Sequence, residues 1–305
     1  MSILTIENLT KNFGEHTIIN NLSFSVPENT IYGFLGQNGA GKTTTMKMVL
    51  GLLKPTSGRI FVCQEQVAYG QAKTNRHIGY LPDVPEFYGY MKPMEYLALC
   101  GEITGLDRRT VALRSEELLS LVGLDKANKR IKGFSRGMKQ RLGIAQALLS
   151  EPELLICDEP TSALDPVGRK EILDILLSVK GKTTVVFSTH ILSDVERICD
   201  HVAVLHKGSL VLNGTLSQLK QSHRLDTLQI EFRSLDDLKR YTNDDSIRML
   251  FQNAEYAKCS VTLRSHDINS VLAQVYNAVH ATKIYPIKLE ILEPTLENMF
   301  MEVVK

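Results

Sequence analysis

The sequence lacks several features that assign many proteins to a class. The formal net charge is +1, so no overall field favours nucleic acid, and none is expected as a partner. No run approaches the roughly 20 apolar residues with which a helix spans a bilayer. The five cysteines form no CxxC pair and the eight histidines form no HExxH motif, so no zinc site of either type is expected. Because the cysteines are scattered and odd in number, a disulfide framework is not expected either.

Length and composition are those of a globular protein with more than one domain. The 305 residues exceed an ordinary domain, and the hydrophobic (43%) and charged (23%) fractions are average values. The pattern of apolar residues changes its character near residue 222. We therefore predict a large domain over residues 1–222 and an accessory domain over residues 223–305.

Up to about residue 220, apolar strands alternate with amphipathic helices. Ile31–Leu35, Leu154–Cys157 and Thr183–Ser188 are predicted to be buried strands, each followed by a helical pattern. This alternation predicts an α/β fold with a mainly parallel sheet that is covered on both faces. The segments Val202–Leu205 and Leu210–Asn213 predict a closing hairpin.

Residues 223–305 predict a small α+β domain. The expected elements are a strand at Leu228–Phe232, a helix at Asp236–Tyr241, strands at Ile247–Phe251 and Ser260–Leu263, a helix at Ile268–Ala278 and a strand at Ile284–Ile291. This order, β-α-β-β-α-β, is that of a ferredoxin-like fold. Its predicted core consists of Ile230, Leu263, Val271, Val275 and Ile284. The domain is expected either to support regulation or dimerisation, or to stabilise the preceding hairpin as a cap.

The segment Gly36–Thr43 matches the phosphate-loop pattern G-x-x-x-x-G-K-[ST]. Glycines let successive backbone N–H groups turn toward phosphate oxygens, and the following helix aims its free N–H groups at the same anion. Lys42 is expected to reach the β- and γ-phosphates of ATP, and the hydroxyl of Thr43 to hold Mg²⁺. The predicted nucleotide contacts are Gly36, Gln37, Asn38, Gly39, Ala40, Gly41, Lys42, Thr43 and Thr44. Kinases and GTPases share this loop, so it predicts a nucleotide site without specifying the reaction.

Two adjacent acids follow the buried strand Leu154–Cys157. Asp158 is expected to bind the Mg²⁺ that Thr43 holds, and Glu159 to polarise the attacking water. Since neighbouring residues of a strand point to opposite sides, both acids face the nucleotide only if the strand ends there. Pro160, which cannot donate a ladder hydrogen bond, favours such an end. The alternative interpretation is that the two acids only solvate the end of the strand.

A second anion site is predicted between these two segments. Ser135 is expected to cap the N-terminus of a helix that contains Gly137. A Ser hydroxyl, a Gly N–H group and a helix N-terminus together suit an anion. One γ-phosphate does not need two such sites from the same chain. We therefore predict a homodimer in which each subunit presents Ser135 and Gly137 to the nucleotide of the other.

Taken in order along the chain, these segments resemble the motifs of an ABC transporter ATPase. They are Walker A at Gly36–Thr43, the signature-like Phe134–Arg141, Walker B with its following Glu at Leu154–Glu159, the D-loop position Ser162–Asp165 and the H-switch position Ser188–His190. The resemblance covers about residues 1–220. It implies a P-loop NTPase fold with a RecA-like core, an antiparallel β-subdomain and a helical subdomain, and it implies MgATP hydrolysis.

The resemblance also implies roles for residues outside the phosphate loop, and it implies a partner. Phe13 would stack on adenine, and His190 would contact the γ-phosphate and hold Glu159 and the water in place. The implied partner is a separate transmembrane permease, with this chain at the cytoplasmic face of the cell membrane. The aromatic region 84–105 either receives that permease or forms core and rim of the helical subdomain.

Two departures from the family pattern affect the expected site. The Q-loop position, after Ile78–Pro82, holds Asp83 where the family has Gln. Its carboxylate can approach Mg²⁺, but it adds negative charge near the γ-phosphate. The signature has Arg136 and Met138 where the family has Gly and Gln. Both changes, and the closing segment 293–300, resemble the branch that exports antibiotics and peptide toxins, including bacitracin and lantibiotic self-protection subunits.

The leading interpretation is the ATP-hydrolysing motor of an exporter for a drug, antibiotic or peptide. A second interpretation is a soluble ABC ATPase that acts on a non-transport partner. A third is a weakly hydrolysing ATP switch, which Asp83 favours. The transported substrate is not predicted, because substrate contacts lie in the permease.

Overall fold

The computed structural model describes residues 1–222, 226–244, 247–251, 254–265, 267–292, 296–297 and 299–300. The chain forms two compact units, Met1–Leu216 and Ser217–Lys305. The sequence predicts a boundary between residues 222 and 223, so the division in the structure falls slightly earlier. The assignment of separate roles to the two units stays a prediction. None of the described helices is long and apolar enough to cross a membrane.

The larger unit alternates strands with helices along most of its length. Its elements are β1 (Ser2–Phe13), β2 (His16–Pro27), β3 (Ile31–Gly36), α1 (Lys42–Val49), β4 (Ser57–Val62), β5 (Glu65–Gln66), a 3-10 helix (Lys73–His77), β6 (Ile78–Leu81), α2 (Pro93–Ile103), α3 (Arg108–Leu121), a 3-10 helix (Ile131–Gly133), α4 (Arg136–Leu148), β7 (Leu154–Asp158), α5 (Pro166–Val179), β8 (Thr184–Thr189), α6 (Leu192–Ile198), β9 (His201–His206) and β10 (Ser209–Thr215).

A six-stranded sheet with the order β10-β9-β3-β8-β7-β6 forms the core of this unit. Strands β9, β3, β8, β7 and β6 are parallel, and β10 pairs antiparallel with β9 as the closing hairpin. Strands β3, β7 and β8 are buried along their whole length, as expected for a parallel sheet covered on both faces. The predicted parallel sheet with its hairpin is confirmed.

An antiparallel four-stranded sheet with the order β2-β1-β4-β5 packs against this core. Ile6 and Leu22 of the antiparallel sheet belong to the same apolar cluster as Phe34 and Ile156 of the parallel sheet. Helices α2, α3 and α4 lie between β6 and β7 in the chain and form the helical subdomain. The RecA-like core, antiparallel subdomain and helical subdomain expected from the sequence are all present.

The smaller unit is an antiparallel sheet with two main helices. From Leu216 onward the elements are α7 (Leu216–Ser222), β11 (Asp226–Glu231), α8 (Leu235–Thr242), a 3-10 helix (Arg248–Phe251), β12 (Glu255–Ala257), β13 (Ser260–Ser265), α9 (Ile268–Thr282) and β14 (Lys288–Leu292). The strand order is β12-β13-β11-β14, and each pair of neighbours is antiparallel. This is the split βαβ arrangement that the sequence predicts.

Two predicted strands of this unit are wrong in place or extent. The segment predicted as the strand Ile247–Phe251 contains a 3-10 helix, and the strand follows it as β12. A strand would bury residue 249 beside its buried neighbours Ile247 and Phe251, yet Met249 is 80% exposed. The last strand begins at Lys288 instead of Ile284, because Pro286 cannot donate a ladder hydrogen bond.

The predicted core of the smaller unit is largely correct. Ile230, Leu263, Val271 and Val275 are buried, and Ile284 packs against them while partly exposed. Residues 293–295 and 298 of the predicted closing segment lie outside the described residues.

Candidate nucleotide-binding and catalytic site

The segments that follow β3, β7 and β8 meet around a cleft of about 540 Å³. Because these strands are parallel, their carboxyl ends lie at one edge of the sheet, where ligands of such folds bind. The cleft is lined by Phe13, Ile18, Asn38, Gly39, Gly41, Lys42, Thr43, Thr44, Asp83, Glu159, Ser162 and His190. The predicted site residues outside this lining are Gly36, Gln37, Ala40, Ser135, Gly137 and Asp158.

The loop between β3 and α1 has the backbone that a phosphate cradle requires. Gly39 and Gly41 have φ angles of +82° and +108°, a region that L-residues rarely adopt. A Cβ on Gly36 would lie 2.7 Å from the carbonyl oxygen of Leu205, so only glycine fits there. Among the described residues, no side chain caps α1, so its first N–H groups are available to an anion.

Lys42 lies at the bottom of this loop with only 5% of its side chain exposed. Its Nζ donates to the carbonyl oxygens of Gly36 and Gln37, at 2.7 and 3.3 Å. The same ammonium lies 3.0 Å from Glu159 Oε1. A buried cation needs such oxygen partners, and phosphate oxygens are chemically equivalent replacements for the carboxylate.

Glu159 faces the cleft because the chain leaves the strand geometry at this residue. β7 ends at Asp158, and Glu159 adopts a left-handed φ of +49°. Its N–H donates to the carbonyl oxygen and to Oγ of Ser188, both at 3.1 Å. Its Oε2 lies 2.9 Å from Nδ1 of His190, which follows β8. The carboxylate is therefore held between Lys42 and His190.

Asp158 lies beneath the cleft and is buried. Its Oδ1 accepts a short hydrogen bond from the Ser188 hydroxyl. Ser188 thus contacts both acids, which fixes the end of β7 relative to the end of β8. The sequence places Ser188 in a motif but carries no signal for this contact with both acids.

Asp83 occupies the cleft wall and is paired with the other departure from the family pattern. Its Oδ1 lies 3.2 Å from Nη2 of Arg136, and its carbonyl oxygen accepts a hydrogen bond from Gln140 at 2.6 Å. Partial burial raises the pKa of Asp83, the Arg136 guanidinium opposes this, and Asp158 and Glu159 add to the rise. Neither the Q-loop segment nor the signature segment of the sequence predicts the contact between Asp83 and Arg136.

Phe13 lines the cleft, whereas the signature residues Ser135 and Gly137 lie outside it. Phe13 is 50% exposed at the rim of the cleft, with Lys11 Nζ 4.6 Å from the centre of its ring. Ser135 caps α4 by accepting a hydrogen bond from the Met138 N–H at 3.2 Å, as predicted. Neither Ser135 nor Gly137 reaches the cleft of its own chain.

Two cleft residues, Ile18 and Ser162, are absent from the predicted contacts. Ile18 comes from β2, where no local pattern distinguishes it from other strand residues. Ser162 lies in the segment after Glu159, and hydrogen bonds and an ion pair hold this segment in place. Thr161 donates to Asp194 at 2.7 Å, and Arg169 pairs with the same carboxylate.

The residues present fit a magnesium nucleotide. The loop offers backbone N–H groups and a buried ammonium to phosphate, and the cleft volume is within the range for small ligands. Thr43, Asp158 and Asp83 offer the hydroxyl and carboxylate oxygens that Mg²⁺ prefers. Glu159, held against His190, offers a carboxylate that can accept a proton.

Comparison with known proteins identifies the family. Residues 19–162 match the ABC transporter family, and residues 214–304 match the C-terminal domain of DrrA1-3-like ATP-binding proteins. The bacitracin transport ATP-binding protein BcrA of Bacillus licheniformis is 42% identical over 241 residues, which cover 78% of this chain and 77% of the relative. The BcrA protein of Enterococcus faecalis is 32% identical over 305 residues, covering 99% of this chain and 96% of that protein.

A solved structure of the ATP-binding subunit of an ABC transporter superposes with a TM-score of 0.66 at 32% identity. The match covers 72% of this chain and 93% of that structure. The chain therefore belongs to the ATP-binding subunits of ABC transporters. Its relatives named for bacitracin transport support the predicted resemblance to the antibiotic-export branch.

Proposed function

We propose that this chain hydrolyses MgATP as the motor of an exporter whose membrane permease is a separate chain. The main support for ATP hydrolysis is that Glu159 contacts Lys42 through one carboxylate oxygen and His190 through the other. An ammonium, a carboxylate and an imidazole thus lie in one connected group inside the cleft. This is the set of groups that hydrolysis of a phosphoanhydride needs.

Each residue has a proposed role in this reaction. The loop Gly36–Thr44 binds the phosphates, and Lys42 contacts the β- and γ-phosphates when it leaves Glu159. Thr43 and Asp158 would hold Mg²⁺, with Asp83 as a third candidate, and the bound ion would supply positive charge against the phosphates. Glu159 accepts the proton of the attacking water, while His190 keeps its carboxylate in place.

A homodimer with two composite sites is proposed from the position of the signature residues. Ser135 and Gly137 stand at the N-terminus of α4, outside the cleft of their own chain. A second subunit placed with this helix end over the cleft supplies further N–H donors to the γ-phosphate. We propose that ATP closes this dimer and that hydrolysis allows it to open.

The aromatic region 84–105 divides into a packed part and an exposed part. Phe87 and Tyr96 pack edge to face at 5.1 Å, with Tyr96 buried. Tyr88 and Tyr90 are 55% and 63% exposed, and Val84 of the same region is 62% exposed. Exposed apolar surface of this kind marks a protein interface. We propose that this part contacts the permease, which places the chain at the cytoplasmic face of the cell membrane.

The proposed cargo is an antibiotic, another drug or a peptide, because two relatives are named for bacitracin transport. The smaller unit is proposed to regulate or support the dimer. To test the function, a tagged chain is purified from detergent-solubilised membranes and its MgATP turnover is measured. Co-purification with a polytopic membrane protein is expected. Turnover without such a partner would favour a non-transport ATPase, and binding without turnover would favour an ATP switch.

A further inference from the structure

Away from the nucleotide cleft, three side chains with metal-binding atoms meet in the larger unit. Cys63 Sγ, a ring nitrogen of His77 and a carboxylate oxygen of Glu153 all lie within 4.8 Å of one another. His77 Nδ1 and Glu153 Oε1 are 3.1 Å apart. We refer to Cys63, His77 and Glu153 as the Cys63 cluster. The proposed ATPase does not use any of these residues.

The backbone holds each member of the Cys63 cluster in a different element. Cys63 occupies the turn between β4 and β5 with a left-handed φ of +49°, and its N–H donates to the Ile3 carbonyl at 2.8 Å. His77 ends the 3-10 helix before β6. Glu153 precedes β7, and its carbonyl accepts a hydrogen bond from the Thr184 N–H at 3.0 Å. Little rearrangement is therefore needed to bring the three donor atoms onto one ion.

The charges around the Cys63 cluster favour a cation. Burial, together with the charges of Glu153, Glu28 and Glu65, raises the pKa of the Cys63 thiol to about 11, and the charge of Arg76 opposes this rise. The same carboxylates that disfavour a free thiolate attract a divalent ion beside it. Glu153 is 53% exposed, so solvent reaches the cluster from one side.

We propose that Cys63, His77 and Glu153 bind one Zn²⁺ ion, with water at the fourth position. One thiolate sulfur, one imidazole nitrogen and one carboxylate oxygen form a mixed set that Zn²⁺ accepts in tetrahedral geometry. Mg²⁺ and Ca²⁺ prefer sites made only of oxygens, so the cysteine discriminates against them. The ion would join the β4–β5 turn of the antiparallel sheet to the N-terminal ends of strands β6 and β7 in the parallel sheet.

The proton balance of binding follows from the hydrogen bonds. Arg76 Nε donates to His77 Nε2 at 3.0 Å, so neutral His77 carries its proton on Nδ1, facing Glu153. When Zn²⁺ binds to Nδ1, the ring proton of His77 moves to Nε2. The Arg76 side chain, which is 59% exposed, then turns away from His77 and retains its ion pair with Glu65. The Cys63 thiol releases one proton to solvent. The thiolate and the Glu153 carboxylate then balance the two charges of the ion.

The test uses the full chain, freed of metal with a chelator that is then removed, in excess Mg²⁺ and without nucleotide. Zn²⁺ titration against a chromophoric chelator is expected to give one ion per chain. Because one proton is released, the affinity is expected to rise by about tenfold per pH unit between pH 7 and 8.5. Co²⁺ in place of Zn²⁺ is expected to give a thiolate-to-metal charge-transfer band in the near ultraviolet.

Variants separate this site from adventitious binding. Cys63→Ser is expected to abolish the Co²⁺ band. Glu153→Gln changes an exposed side chain and is expected to lower the affinity for Zn²⁺ at least tenfold. Cys259→Ser removes another partly exposed thiol and is expected to change neither. Circular dichroism confirms that each variant is folded. Wild-type Zn²⁺ affinity in Cys63→Ser, an affinity independent of pH, or no stoichiometric ion in the wild type would each overturn the proposal.

Discussion

Replacing Glu159 by Gln is expected to change catalysis and nucleotide affinity in opposite directions. Glu159 lies 3.0 Å from Lys42 through Oε1 and 2.9 Å from His190 through Oε2. Glutamine keeps the shape of the side chain but cannot accept a proton from water. We therefore expect MgATP turnover to fall by about 10²–10⁴-fold, the usual contribution of a positioned base.

The effect on affinity follows from the pairing of Lys42. To contact a phosphate, Lys42 has to leave Glu159, and both side chains are almost fully buried, with 5% and 11% exposed. A charge-assisted hydrogen bond contributes about 1.5–3 kcal/mol, whereas the neutral bond that glutamine retains contributes about 1 kcal/mol. The difference, about 0.5–2 kcal/mol, corresponds to about two- to thirtyfold in Kd. The Glu159→Gln variant is therefore expected to bind MgATP more tightly than the wild type.

Isothermal titration with MgATP and a phosphate-release assay measure the two effects separately. His190→Gln is the matched control, because it should reduce turnover while leaving the Lys42–Glu159 pair intact, so its affinity should not increase. Wild-type turnover in Glu159→Gln would remove Glu159 from the role of base. Weaker binding in that variant would refute the release of Lys42 as the origin of the affinity change.

Three further predictions concern the cleft and the dimer. Lys42→Ala should raise the Kd for MgATP by about 10–150-fold in isothermal titration, since a charge-assisted phosphate contact contributes about 1.5–3 kcal/mol. Arg136→Gln leaves the charge of Asp83 unpaired and should raise the KM for MgATP by about 1.4- to fivefold in steady-state assays, since an exposed ion pair contributes about 0.2–1 kcal/mol. Arg136→Lys should have less effect. Ser135→Arg should be inactive alone but regain part of its activity when mixed with Lys42→Ala, because such heterodimers contain one intact composite site. Activity of the pure Ser135→Arg protein would contradict a site shared between subunits.

Local sequence patterns suffice to predict the phosphate loop. Its glycines, the lysine and the helix behind it are contiguous, so the Gly36–Thr43 pattern determines the backbone that surrounds an anion. The buried strands β3, β7 and β8 were also predictable, because apolar runs of five or six residues suit a buried strand and are shorter than most helices.

Contacts between distant segments were not predictable in the same way. The sequence requires β7 to end if both acids are to serve the nucleotide, but the left-handed φ of Glu159 depends on Ser188, which holds its N–H from another strand. The Lys42–Glu159 pair likewise joins residues far apart in the chain. Such contacts depend on strand order, which a single sequence does not encode locally.

In the smaller unit, the type of one short element could not be predicted from the sequence. Apolar residues at 247 and 251 satisfy both a strand and one turn of a helix, so periodicity over so short a segment does not decide between them. The exposure of Met249 shows which alternative the packing selects. The ferredoxin-like fold of this unit was nevertheless predictable, because it depends on the order of element types along the chain and not on where each element ends.

The Asp83–Arg136 pair changes how the two departures from the family pattern should be interpreted. Taken separately, an acid in the Q-loop adds repulsion toward the γ-phosphate, and an arginine in the signature removes a small residue from a phosphate-facing helix. In the structure the two side chains are 3.2 Å apart, so the guanidinium offsets the carboxylate before a nucleotide arrives. Because both side chains are partly exposed, the pair is weak enough to open when phosphate or Mg²⁺ offers either of them a better partner. The two substitutions therefore act as one unit: each supplies the charge that the other requires, and neither alone argues against ATP hydrolysis.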